Sequence, residues 1–458
     1  MAARLIFPHQ KALGLKVGED LSPDLVEKLA YLGTKLPSFR DAHEALGVLL
    51  RTQVSLKRVE RHTERIGAER VMQREAEIAT WSDLPLMQRD QAPPGVKAPE
   101  VAAVLADGGR LQLCEENADA RSKTRSATRP NRPSVPPSSA KSHWHEYKAG
   151  VLHSLRSEAH AEDPCRDLPE VYLRPEKIDK LAREITTLAA REEPSGPAVP
   201  LKIVDPTADL STDSSPDPST PLVPPAEVIP HGYTPPEVID RDVVASRHDS
   251  RACGRQLAAR AWMLGLFAAP RKAFVGDGSG WIWTEWERYF KAYWFVPILD
   301  SIHALTHIYA AAMAGRNNQE GWQIYRRWIT WTWHGEVAQV IAELATRQQE
   351  LGLPTAADTS PRRLVSETLT YLQNQQSRMN DPAYRKQGLP ITSAHMESTV
   401  KQINRRVKGS EKYWSEAGAE DLLQLTADHL STSQPLTEFW RTRPDHQSGT
   451  RTYHKSAT

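Results

Sequence analysis

Three short apolar runs, each meeting an aspartate, constrain this chain more tightly than any other feature. They are PEVAAVLADGGRLQL with Asp107, RKAFVGDGSGWIW with Asp277 and YWFVPILDSIHALTH with Asp300. A few β-favouring residues, then an acid, then a turn or helix signal predict buried strands opening into helices, the alternation of an α/β core. Carboxylates at the ends of buried strands cluster if those strands are neighbours, and close unpaired acids repel unless cations lie between them. Several such acids together imply a divalent metal.

The stretch GLPITSAHMESTVKQINRRVKGSEKYWS, residues 388 to 415, adds a carboxylate, Glu397, at the head of a basic helix. At helical period Met396, Val400, Ile403 and Val407 form one apolar stripe, while Glu397, Lys401, Arg405 and Lys408 line an adjoining face. Acid and cations then face the same ligand, as at a metal site turned toward a phosphate backbone.

These residues resemble the bacterial insertion-sequence transposases of the DDE type, in particular the Mutator-related group with the ISKra-type elements. Four parts carry the likeness. An acid in a VDGG or VDGT strand is matched by LADGGRLQ, and a W-x-E-x-K-like strand by WHEYKAG at Trp144, Glu146 and Lys148. The GDG(A/S)xWIW acid is matched at Asp277, with a following D/C-x-x-H element at Asp300 and His303. The GLPI-x-S-x-x-x-ES helix, R-x-K-G and Trp are matched by Glu397, Lys408, Gly409 and Trp414. The likeness is firmest over about residues 255 to 440.

The resemblance implies an RNase H-like mixed sheet interrupted by an all-α insertion, with an N-terminal helical DNA-binding domain. It implies that Asp107, Asp277 and Glu397 are the catalytic acids and hold two Mg²⁺ ions, for which Mn²⁺ can substitute. Asp300 and His303 would be accessory, orienting the acids or the DNA; a hydrogen-bonded core histidine is the other reading of His303. The implied reaction is cleavage at transposon ends followed by strand transfer, on double-stranded DNA of the terminal inverted repeats and the target, by a homodimer. An inactive DNA-binding derivative, or a nuclease without strand transfer, would keep the same residues.

The formal net charge of +1 hides basic concentrations at Arg121 to Lys141 and Lys401 to Lys412. The three cysteines, Cys114, Cys165 and Cys253, have no metal-ligand spacing, which suits reduced thiols in a cytoplasmic compartment. No apolar run approaches the roughly 18 residues that cross a bilayer, so a cytoplasmic, nucleoid-associated protein is expected. A nucleophile elbow and a P-loop are both missing from the sequence.

Residues 1–95 are expected to be helical and helix-turn-helix-like, with Ser22 and Ser55 as caps and Lys57, Arg58, Arg61 and Arg65 reading DNA. A plain bundle with a solvated charged face is the alternative. Residues 96–308 would hold the first part of the core, with disordered insertions near 115–142 and 193–236. An all-α insertion at 309–389, the Glu397-bearing part of the core at 390–445 and a disordered tail at 446–458 complete the chain. Trp281 or Trp283, just after Asp277, is a candidate to stack on an unpaired base, against the ordinary role of a packed indole.

Overall fold

The computed structural model describes residues 21–51, 53–114, 143–190, 234–355, 360–409 and 411–443. The expected insertion at 115–142, residues 193–233 of the second one and the 446–458 tail lie outside the described residues. The architecture is mixed α/β. Six strands form one mixed sheet: β1 Val101–Leu113, β2 Trp144–Arg156, β3 Glu237–Ser246, β4 Arg271–Gly276, β5 Val296–Leu299 and β6 Tyr413–Trp414. Their order is β3-β2-β1-β4-β5, with β6 pairing beside β1. β2 runs antiparallel to its neighbours β1 and β3, whereas β4 and β5 run parallel to β1.

The apolar runs form strands because both sides of the sheet are covered. Residues 101 to 106 of β1 are all buried, the pattern of a strand packed on two faces. Asp107 does not end its strand, in contrast to the expectation of strand, acid, then turn. β2 keeps pairing with β1 as far as Gln112↔Trp144, and β6 takes over the other edge at Gln112 and Leu113. The two glycines after Asp107 therefore lie inside a strand, and Tyr147 packs over Gly109 so closely that a Cβ has no room there.

Side chains alternate along β1, and each set meets its own helices. Ala102, Val104 and Ala106 pack with Cys253 and Leu257, and with Ala304 and Ile308. The first pair lies on a helix at Ser250–Met263 and the second on one at Ser301–Met313. Val101, Ala103 and Leu105 meet Met396, Val400, Ile403 and Val407 of a helix at Ala394–Val407, and Leu422 and Leu423 of one at Glu416–Leu430. In chain order the longer helices are α1 Pro23–Lys35, α2 Phe39–Leu50, α3 Leu56–Asp83, α4 Pro175–Ala190, α5 Ser250–Met263 and α6 Ser301–Met313. They continue with α7 Asn318–Trp333, α8 Val337–Leu351, α9 Pro361–Gln375, α10 Ala394–Val407, α11 Glu416–Leu430 and α12 Pro435–Thr442. Between β5 and α10 the regular structure is helical, and Tyr325, Trp328, Val340 and Leu372 of this stretch join the same apolar cluster as Ala102 and Val104. No helix among the described residues is long and apolar enough to cross a membrane.

The N-terminal helices start as their capping residues dictate. Ser22 Oγ accepts from Leu25 N at 3.3 Å ahead of Pro23, and Ser38 with Asp41 forms a reciprocal capping box on α2. Ser55 does occupy the N-cap of α3, but its side chain makes no capping bond. Leu29, Leu46, Val59 and Ile66 pack with Leu425 of α11 and Phe439 of α12. α3 then meets α11 through buried charge: Arg70 donates to Asp428 at 2.8 Å and Arg74 to Glu420 at 2.6 Å, while Arg443 reaches back to Glu69 at 2.8 Å. Arg406 of α10 donates to Gly33 O at 3.0 and 2.8 Å.

Breaking a buried pair strands a charge, whereas breaking an exposed one does not. Replacing Arg70 with Ala should therefore lower unfolding stability by about 3–5 kcal/mol. Replacing Lys28, whose exposed partner is Asp24 at 2.6 Å, should change it by less than ~1 kcal/mol. Urea titrations of the two variants beside the wild type make the comparison; equal midpoints would refute it.

Candidate metal centre

Strand register builds the site. Ala106 of β1 pairs with Gly276 of β4, and Gly276 with Leu299 of β5. The next residue on each of these three neighbouring parallel strands is an acid: Asp107, Asp277 and Asp300. Adjacent strands are about 4.8 Å apart, so three carboxylates start from one level of the sheet. α10 packs across the same sheet and carries Glu397 in its first turn. Its seat is set by the buried stripe Met396, Val400, Ile403 and Val407 and by Tyr147 Oη of β2, which donates to Asn404 Oδ1 at 2.9 Å.

Each acid is oriented by nearby donors. Gly108 N donates to Asp107 Oδ1 at 2.6 Å. Asp277 Oδ1 accepts from Ser279 N at 2.7 Å and its Oδ2 from Ser279 Oγ at 3.0 Å. The turn behind Asp277 is locked by α9: Tyr371 Oη donates to Asp277 O at 2.7 Å and Gln375 Nε2 to Gly278 O at 3.0 Å. Gly278 is required here twice over. Its φ of +106° disfavours L side chains, and a Cβ would lie 2.6 Å from the Tyr371 ring.

Asp300 is wholly buried. Its Oδ1 accepts from Ile302 N at 3.2 Å and Ser393 N at 3.0 Å, and its Oδ2 from Ser393 Oγ at 2.7 Å and His303 Nδ1 at 2.5 Å. Burial opposes ionisation of Asp300, but the bonds from His303 and Ser393 outweigh it and hold the carboxyl below its usual range. Burial likewise opposes charge on His303, yet Asp300 first, then Asp277 and Asp107, lift it to about 10. The sequence left His303 as either an accessory group or a core histidine. It is hydrogen-bonded to Asp300 and stands in the field of the other acids.

Among the described residues, the group of three His, Cys, Asp or Glu whose ligand atoms all lie within 4.8 Å of one another is Asp300, His303 and Glu397. Asp300 already accepts four hydrogen bonds there; Asp107 and Asp277 fall outside this group, although the charges of both reach His303. Carboxylates are the donor type that a hard divalent ion such as Mg²⁺ prefers.

The basic candidates fall in different settings. Lys401 and Arg405 follow Glu397 along α10, half-buried and exposed respectively. Lys408 leaves that face, because the helix stops at Val407; Lys408 is its extended C-cap, with the ammonium 5.6 Å from the Trp144 ring centre. Arg406, which the sequence reading passed over, is buried between Phe39 and Trp414. Trp283 is 8% exposed within the core, with the Arg378 guanidinium 4.5 Å from its ring centre, so it has no face to offer a base. Trp281 is half-buried beneath the Lys148 ammonium, 4.5 Å away. On α3, Lys57 and Arg61 are exposed and Arg58 and Arg65 half-buried; Lys57 pairs with Glu60 at 2.9 Å.

Under α10, His153 of β2 is buried with its ring 5.1 Å from that of His395. Burial, then His395 and Arg241, push His153 down to about 3 from the ordinary 6.5. The unfolded chain therefore takes up a proton that the folded one refuses, and this residue's stabilising effect is full above about pH 6.5 and is lost as the pH falls toward 3. Unfolding free energy should decline below pH 6.5 by up to ~1.4 kcal/mol per pH unit for this one proton. A His153→Gln variant should remove that part of the slope in denaturant titrations at pH 4.5, 5.5 and 7. An unaltered slope would contradict the assignment.

No family model and no curated protein matches the chain.

Proposed function

We propose that the chain is a DDE-type DNA transposase with an RNase H-like core, cutting double-stranded DNA at transposon ends and joining them to target DNA. One observation carries this reading: three neighbouring parallel strands deliver Asp107, Asp277 and Asp300 at one level, and a basic helix on the same sheet brings in Glu397. The mixed sheet with acids at its parallel strands, followed by a helical excursion, supports the RNase H-like interpretation.

Asp107, Asp277 and Glu397 would hold Mg²⁺, with Mn²⁺ as a substitute, and the bound metal would stabilise the entering and leaving oxygens of an in-line phosphoryl displacement. The protein's part is orientation. Gly108 N and Ser279 N fix the two aspartates, and Tyr371 and Gln375 keep the turn after Asp277 from shifting. His303 keeps a proton at Nδ1 toward Asp300. Lys401 and Arg405 place positive charge beside the acids and offset their repulsion of a phosphate backbone. Lys57, Arg58, Arg61 and Arg65 on α3 would meet the terminal inverted repeats, and a homodimer would pair two ends.

The reading is tested with a labelled DNA end and a target plasmid, with and without Mg²⁺. Asp107→Asn, Asp277→Asn and Glu397→Gln should each reduce nicking and joining by about 10³-fold or more, with the triple variant hardly worse than any single one. Near-normal cleavage by Glu397→Gln would sink the mechanism. Nicking without joining would replace it with a nuclease.

Removing a phosphate contact weakens binding to all sequences alike. Replacing Lys401 and Arg405 by Ala should therefore lower the slope of log affinity against log salt by about one unit each. An unchanged slope in the double variant would mean that α10 does not face DNA.

A further inference from the structure

The chain leaves the end of β5 at Asp300, runs through the helices α6 to α9 and comes back beside Asp300 at Ile391 to Ser393. Where it returns, the two ends are tied together. Ser301 N donates to Ile391 O at 3.0 Å, and Ser393 gives both its N–H, at 3.0 Å, and its hydroxyl, at 2.7 Å, to the Asp300 carboxylate. A carboxylate has about four acceptor positions. Ile302 N and His303 Nδ1 take the other two.

Ser393 is also the residue on which α10 starts. Its carbonyl accepts from Met396 N at 2.7 Å and from Glu397 N at 3.3 Å. Ser393 stands at the N-cap position, yet its side chain makes no capping bond to its own helix, because the hydroxyl is turned to Asp300. Asp300 is thus linked to the Glu397 backbone through a single residue.

We propose that Asp300 is a positioning residue that fastens the start of the Glu397 helix to the end of β5 and does not itself ligate metal. The catalytic consequence rests on the metal-dependent reading of the site: Asp300 holds Glu397 in register with Asp107 and Asp277, where a displacement of about 1 Å can reduce rate about 100-fold. It also closes the base of the helical excursion, so that motion in α6 to α9 is not passed to the acid.

Hydrogen exchange on the full chain without metal or DNA reads this fastening directly. Ser393→Ala removes one charge-assisted bond and leaves every acid and His303 in place. The amides of Met396 and Glu397 should then exchange about tenfold faster, and Ser393→Thr, which keeps the hydroxyl, should restore protection. Mn²⁺ binding followed by electron paramagnetic resonance supplies the second measurement. Asp300→Asn and Ser393→Ala should both weaken it, and the double variant should be no worse than Asp300→Asn alone. Wild-type exchange in both single variants would overturn the proposal. So would loss of Mn²⁺ binding in Asp300→Asn alongside normal binding in Ser393→Ala, the signature of Asp300 as a direct ligand. Exchange needs neither cleavage nor metal, so a wild-type protein that never cuts DNA would remove the transposase reading and leave this test standing.

Discussion

The parallel register of β1, β4 and β5 is the constraint on which the rest depends. Ala106, Gly276 and Leu299 form one cross-strand row, and the residue after each is an aspartate. A shift of one residue in either pairing would turn an acid to the opposite side of the sheet. That register is held by burial on both faces: Ala102 and Val104 meet α5 and α6, and Ala103 and Leu105 meet α10. A slip would force these side chains into packing sites shaped for their neighbours and would carry the acids to the other side.

Charge is distributed in two ways around this frame. Between α3 and α11 it is paired and buried, as in Arg70 with Asp428 and Arg74 with Glu420. Such pairs contribute more to choosing one docking geometry than to net stability, since desolvation offsets much of their attraction. Around the strand ends the acids gather, and His303 is held as a cation among them. The first arrangement joins the N-terminal helices to the sheet; the second leaves a site that favours added positive charge.

The helical segment between Asp300 and Ser393 contributes to the site as well as interrupting the chain. Tyr371 and Gln375 of α9 hold the backbone at Asp277 and Gly278, and the same segment shares the apolar cluster beneath β1. Removing it would therefore loosen Asp277 from behind. A long excursion that begins and ends at neighbouring points of a sheet needs closure at its base, and Asp300 with Ser393 supplies the polar part of that closure.

Local periodicity by itself determined the elements: apolar runs of a few residues gave strands at β4 and β5, and the stripe from Met396 to Val407 gave the buried face of α10. It marked the four acids too, because each stands next to a break in an apolar pattern. What it could not determine was which side chains are spent inside the fold. Arg405 and Arg406 are consecutive arginines in one basic helix, but Arg406 is buried against Gly33, Phe39 and Trp414 and Arg405 is exposed. Asp107 lies within a strand because β2 and β6 continue the pairing, and a sequence window around DGG contains neither partner. Asp300 and Ser393 are 93 residues apart in the chain. Their contact, like that of Trp283 with the core, depends on how the helices between them pack, and only the tertiary structure decides it because hydrogen bonds and burial act on distance in space.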